Sequence, residues 1–152
     1  MLRFKFLAFV TFFIAKLVSG GDTNWFDKLY GVQVDSREAL ENFRLSTAEN
    51  GGAGKHIFIL FYYSWCHNCQ RDQPIITEAE RRLLEKPGSN VAFVRVDLDH
   101  AGDLLRYFKV RKSPTFAYIG LGSSSDLVYY KFGRTYTVEN LVSFANSFIK
   151  TA

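Results

Sequence analysis

Residues 56–63 read His-Ile-Phe-Ile-Leu-Phe-Tyr-Tyr, an almost unbroken apolar, β-branched and aromatic run. A strand of this kind has no polar alternation to leave on a wet face. It must be covered on both sides, as in the middle of a parallel sheet with helices on each face. The demand for two covering layers shapes the reading of the rest of the chain. A helix is predicted immediately after the run, from about Cys66. There Ile76, Ala79 and Leu83 recur at helical spacing, and Glu78 and Arg82 form an i,i+4 pair. That helix stops at Lys86-Pro87-Gly88.

The flanking segments supply the remaining layers. Residues 31–34 read as a short strand, and Asp35 with Glu38 as a capping box for a helix through about Glu49. Its buried face carries Ala39, Leu40 and Phe43, and a break follows at residues 50–54. Residues 91–98 form a strand, and Ala101, Leu104, Leu105 and Phe108 mark a helix. Residues 115–119 and 127–132 are strands joined as a hairpin. Val138, Leu141, Val142, Ala145, Phe148 and Ile149 trace a closing helix with Thr137 as its N-cap. The order is βαβαβαββα, an α/β fold with a central, mostly parallel sheet and an antiparallel C-terminal hairpin. A length of 152 residues suits one such domain, and 47% hydrophobic residues suffice for its core.

Composition narrows the function classes. The formal net charge is +4, but Arg3, Lys5 and Lys16 account for most of it. Without residues 1–20 the balance falls to about +1, so nucleic acid is not an expected partner. Two cysteines exclude a disulfide-stapled miniprotein and a four-cysteine zinc ribbon.

Residues 1–20 have the plan of a secretory signal peptide. Arg3 and Lys5 precede an apolar stretch over residues 6–15, and Val18-Ser19-Gly20 offers small residues for cleavage after Gly20. These ten residues, nine of them apolar, rise roughly 15 Å as a helix, about half of a bilayer core, so a membrane anchor is the weaker reading. The expected organisation is a signal peptide over 1–20, an N-terminal extension over 21–30 and one domain over 31–152. No transmembrane span is expected in the mature chain. The last five residues lack a KDEL-type signal, which leaves the endoplasmic reticulum lumen and secretion as expected locations.

The chemistry is concentrated in Trp65-Cys66-His67-Asn68-Cys69, where the buried strand meets the next helix. A helix N-terminus presents free N–H groups and the positive end of the macrodipole, which favour an anion at Cys66. A thiolate so placed has its pKa lowered from about 8.5 to roughly 3.5–7.5. Cys69, one turn inside, is shielded and suited to resolve a mixed disulfide. Taken alone, C-x-x-C also admits a structural disulfide, half of a metal site, or two buried thiols. Zinc would need two further ligands from His56, His67 and His100. His56 opens a buried strand and reads as packing, and His100 as a solvated helix start. Placement of the pair in a βαβ pattern favours redox chemistry.

Residues 61–69, Phe-Tyr-Tyr-Ser-Trp-Cys-His-Asn-Cys, resemble the F-Y-x-x-W-C-x-x-C segment of thioredoxin-like domains of the protein disulfide isomerase family. Pro74 matches the proline that kinks the family's active-site helix. Val110-Arg111-Lys112-Ser113-Pro114-Thr115 resembles its V-R-G-Y-P-T segment, and Gly133-Arg134 its G-R pair. The resemblance covers residues 31–150 and implies a thioredoxin fold. It implies Cys66 as the attacking cysteine and Cys69 as the resolving one, with Trp65 on the client-facing surface. Pro114 would be a cis-proline, beside which Ser113 offers backbone groups to an extended client. Arg134 would be a mobile arginine that lowers the pKa of the resolving cysteine; the alternative is an ordinary surface arginine.

Three departures modify that picture. Leu60 stands where the family has a buried acid that relays the resolving cysteine's proton, a service typically worth roughly 10²–10⁴-fold. Arg95 takes the place of the lysine paired with that acid, and either snorkels outward or favours the Cys69 thiolate. His67-Asn68 replaces Gly-His between the cysteines, so the histidine supports the thiolate from beside Cys66. Lys112-Ser113 replaces Gly-Tyr, making the client surface more polar. The expected function is a secretory-pathway thiol–disulfide oxidoreductase acting on protein thiols or disulfides, recycled by a redox partner or glutathione. It would use no metal and no cofactor beyond the Cys66–Cys69 disulfide. The alternative is a non-catalytic binding or chaperone module in which that disulfide is structural.

Overall fold

A computed structural model describes residues 24–48, 54–120, 127–131 and 135–149. Residues 1–20 with their cleavage site, the tip of the expected hairpin and Gly133-Arg134 lie outside them. The elements are a 3₁₀ turn (Trp25–Lys28), β1 (Val32–Gln33), α1 (Arg37–Ala48), β2 (His56–Tyr62), α2 (His67–Leu84), β3 (Val91–Asp97), α3 (Gly102–Phe108), β4 (Thr115–Ile119), β5 (Leu127–Tyr129) and α4 (Val138–Ile149). The sheet order is β1-β3-β2-β4-β5. β1 and β2 run parallel to β3, while β4 is antiparallel to both β2 and β5. This is the thioredoxin fold.

The run that demanded two covering layers receives them. Every residue of β2 is buried. Ile57, Ile59 and Phe61 pack with Leu40 of α1 and Leu104 and Phe108 of α3 on one face. Phe58 and Leu60 pack with Ile76 and Leu83 of α2 and with Leu141 and Phe144 of α4 on the other. Full burial of each such side chain is worth about 1.5–3 kcal/mol relative to exposure. His56 is satisfied as a core residue, its Nδ1 lying 3.0 Å from the Tyr118 hydroxyl. His100 is exposed and 3.3 Å from Asp97.

Local differences from expectation have physical causes. The cap of α1 is Ser36 rather than Asp35: its Oγ accepts the Ala39 N–H at 3.1 Å, and its carbonyl accepts from Leu40. The short hydroxyl sits one residue closer to the first free N–H groups. Thr137 caps α4 as expected, accepting from Asn140 N–H at 3.2 Å. Gly31 lets β1 approach β3 closely, since a Cβ there would lie 3.1 Å from the Val94 carbonyl carbon. Lys109 closes α3 in the left-handed conformation at φ 52° and turns the chain into the 110–114 loop.

Two features lay outside the pattern read from sequence. Trp25 and Phe26 of the 3₁₀ turn pack on Tyr62, with ring centroids 5.1 and 5.4 Å away. Glu80, on the inner face of α2, is only 2% exposed, and its carboxylate accepts the Tyr30 N–H at 2.9 Å. Burial pushes its pKa up to about 7, against the pull of that hydrogen bond and of Arg95. The native state therefore holds a proton that the unfolded chain releases near 4.5. Stability contributed by this group falls as pH rises from about 4.5 to about 7 and is level above, a loss of about 3 kcal/mol at 1.36 kcal/mol per pH unit. Glu80→Gln keeps an oxygen for Tyr30 and cannot ionise. Urea unfolding at pH 5 and pH 8 is expected to show the variant more stable than the parent at pH 8 only. An equal difference at both values would contradict the assignment.

Candidate functional site

β2 ends at Tyr62, and the chain turns through Tyr63, Ser64 and Trp65 into α2. Cys66 is the N-cap of that helix: its Sγ accepts the Cys69 N–H at 3.1 Å. Cys66 and Cys69 are joined in a disulfide with Cα atoms 5.2 Å apart. Cys69 is fully buried and Cys66 is 7% exposed. The dipole and the free N–H groups act on Cys66, whereas Cys69 is enclosed by protein. The pair is thus built asymmetrically: Cys66 sits at the positive end of the helix, and Cys69 is the more deeply enclosed of the two.

The 110–114 loop closes over the disulfide. The Ser113–Pro114 peptide bond is cis. Ser113 Oγ lies 3.0 Å from Cys69 Sγ and accepts the Tyr63 N–H at 3.2 Å. Because Tyr63 occupies a lone pair, the hydroxyl proton is free for the sulfur. Tyr136 braces the loop from behind, donating to the Pro114 carbonyl and accepting from the Phe116 N–H, both at 3.2 Å. Burial raises its pKa. Sequence reasoning assigned Ser113 only backbone groups and missed Tyr136.

Trp65 is 65% exposed, stacked on Tyr63 at 4.9 Å between centroids. Its indole N–H donates to Asp99 at 3.1 Å, and the same carboxylate accepts from the Ser64 N–H and Oγ. Partial burial pushes the Asp99 pKa up, but these hydrogen bonds outweigh it and hold it below the usual range. From the other side, the Trp25 indole donates to the Ser64 carbonyl at 2.8 Å. Asp99 and Trp25, both missed in the sequence, therefore fix the turn that delivers Cys66.

The remaining expected site residues separate. His67 and Asn68 are exposed on the first turn of α2. Leu60 is buried in the layer facing α2 and α4, beside Arg95 in the β2–β3 register, and carries no proton to relay. Arg95 bonds the Phe26 carbonyl and reaches Asp27 at 3.7 Å, so its charge serves the N-terminal turn. Tyr62 packs against both cysteines and donates to Gln33 at 2.9 Å. Burial, reinforced by the Asp97 charge, pushes its pKa up to about 12, so its hydroxyl stays protonated. Asp72, three residues past Cys69, is a further buried carboxylate, held by Arg71 at 2.9 Å. An acid at that helical spacing was readable in the sequence. Among the described residues no group of three His, Cys, Asp or Glu side chains is placed to hold a metal ion. No helix among them is long and apolar enough to cross a membrane.

Comparison with known proteins agrees with this geometry. The family model described as Thioredoxin matches residues 37–146. Rabbit (Oryctolagus cuniculus) protein disulfide-isomerase is 31% identical over 87 residues, which is 57% of this chain and 17% of that protein. A thioredoxin from Coprinus comatus is 37% identical over 86 residues, 56% of this chain and 72% of that one. Among solved structures, human ERp44 form II superposes with a TM-score of 0.60 at 22% identity, covering 77% of this chain and 29% of that one. Thioredoxin NaTrxh from Nicotiana alata gives 0.58 at 21% identity, covering 79% and 93%. The chain spans only a small part of the isomerase it matches, and most of the fungal thioredoxin. It belongs to the thioredoxin family, as a thioredoxin-like domain similar to those of protein disulfide isomerases and to single-domain thioredoxins.

Proposed function

We propose that this chain is a thiol–disulfide oxidoreductase of the secretory pathway that exchanges disulfides with protein clients. The observation that carries the reading is the asymmetric Cys66–Cys69 disulfide at the N-terminus of α2, facing the cis Ser113–Pro114 bond. The secretory location is supported by the basic-then-apolar pattern of residues 1–20. An oxidising compartment is also where such chemistry is needed.

In the reducing direction, the Cys66 thiolate attacks one sulfur of a client disulfide. The client S–S bond breaks, a mixed disulfide to Cys66 forms, and the departing client thiolate takes a proton from water. Cys69 then loses its proton and attacks Cys66 Sγ, breaking the mixed disulfide and releasing the second client thiolate. The client gains two electrons and the protein dithiol becomes the disulfide. Run backwards, the same steps oxidise a client dithiol. With leucine at position 60, the Cys69 proton leaves to water. The Ser113 hydroxyl then supplies the hydrogen bond that steadies the resulting thiolate.

The reading is tested by trapping. Cys69→Ala leaves Cys66 without a resolver, so a reduced variant incubated with a disulfide-bonded protein should accumulate a mixed disulfide that dithiothreitol removes. Cys66→Ala should accumulate little, because Cys69 is enclosed. Equal trapping by both variants, or by neither, would favour the structural-disulfide reading, to which Leu60 also lends weight.

The Ser113 hydrogen bond gives a second expectation. A bond to a charged acceptor is worth about 1.5–3 kcal/mol, and each 1.36 kcal/mol is tenfold in rate. Ser113→Ala should therefore slow resolution of the Cys66 mixed disulfide by roughly tenfold or more, with Ser113→Thr close to the parent. An alanine variant that resolves at the parent rate would remove the hydroxyl from that step.

A further inference from the structure

A cleft of about 720 Å³ lies next to the disulfide, lined by neighbours of the two cysteines rather than by the cysteines themselves. Asn68, Arg71 and Asp72 of α2 form one wall, the 109–115 segment a second, and Tyr129 to Lys131 with Tyr136 a third. Ser113 belongs both to this lining and to the contact with Cys69, so the cleft opens directly beside the sulfur pair.

Its charge is one-sided. Arg71, Lys109, Arg111, Lys112 and Lys131 line it, all with exposed side chains. Among the described residues Asp72 is its single carboxylate, 3% exposed, with both oxygens bonded to Arg71 at 2.9 and 3.3 Å. Arg71 is thereby largely compensated. The other four cations have no ion-pair partner among the described residues. The chain beyond residue 20 is nearly neutral, so gathering five cations here leaves the rest of it net negative. The composition therefore conceals a local positive field next to the reactive pair, of the kind that concentrates and steers oppositely charged ligands.

We infer that the cleft docks an acidic client segment: an extended stretch carrying Asp or Glu within a few residues of the cysteine that exchanges with Cys66. Lys112 and Arg111 lie one and two residues before Ser113, whose Oγ is 3.0 Å from Cys69 Sγ, so a carboxylate a few extended residues from that cysteine, at about 3.3 Å each, falls to them. Tyr129 and Tyr136 add ring surface for the segment's apolar atoms. A protein segment fits better than a nucleic acid because the cleft is continuous with chemistry that needs a thiol or disulfide. The inference rests on the redox reading given above and adds the substrate class to it.

The test uses the reduced full chain and two neutral-cored, single-cysteine peptides, each carried as its mixed disulfide with 2-mercaptoethanol. One is flanked by Asp and Glu, the other by Lys and Arg. The acidic peptide should react about tenfold faster at low ionic strength, with the ratio shrinking toward one as salt screens the field. In Arg111→Glu/Lys112→Glu the ratio should invert, and Lys131→Glu, on the opposite wall, should reduce it independently should the double variant fold poorly. A ratio near one, or a preference untouched by both variants, overturns the inference. Reaction with bis(2-hydroxyethyl) disulfide separates the two claims. If the parent protein does not react with it, the redox reading has failed, and the cleft is judged by anisotropy of labelled, cysteine-free peptides. Selective binding of the acidic peptide then upholds the docking site. Equal binding of both peptides, or tighter binding of an oligothymidine, overturns it.

Discussion

Burial of β2 on both faces is the constraint from which the rest of the structure follows. Because His56 to Tyr62 leave nothing for water, helices must cover the strand on each side, and the strand must sit centrally between β3 and β4. The rigid strand end then fixes where the chain can turn, and Cys66 emerges at the start of α2 rather than within a loop. The placement of Cys66 and Cys69 is a consequence of core packing. A less completely buried strand would hold Tyr62 and Tyr63 less firmly, and with them the disulfide.

Around that end, three separate segments converge on one turn. Trp25 holds the Ser64 carbonyl, Asp99 holds the Ser64 N–H and the Trp65 indole, and Ser113 holds the Tyr63 N–H and faces Cys69. Each satisfies a backbone or ring donor or acceptor that the turn cannot pair internally. The segment before β1 is therefore part of the site's support, anchored further by Arg95 and Glu80. The cation in β3 and the buried acid in α2 together hold the N-terminal turn. This accounts for Arg95 in a chain whose neighbouring strand position is Leu60.

The fold was legible because its signals are periodic and local. The apolar run of β2, the i,i+3 and i,i+4 stripes of α2 and α4, and the C-x-x-C at a strand–helix junction each speak for themselves. Asp99, Trp25 and Tyr136 were not legible, because each acts across 20 to 39 residues through one to three hydrogen bonds. Ser113 lies beside the disulfide, but a sequence cannot show that its hydroxyl, rather than its backbone, meets the sulfur. Glu80 and Asp72 sat in view as acids on the inner side of a helix. An acid at helical spacing ordinarily faces water, because burying a carboxylate is costly, so spacing alone does not mark these two as buried. Arg134 and the leader lie beyond the described residues and stand as expectations.

On the reading proposed above, the Cys66–Cys69 disulfide is made to be exchanged. Its most direct test is the equilibrium reduction potential of the purified protein in graded glutathione buffers, with thiols counted by mass after quenching. A pair made for exchange should lie between roughly −270 and −180 mV, the range of thioredoxin-like and isomerase-like couples. A value below about −300 mV, typical of disulfides that serve only structure, would contradict it.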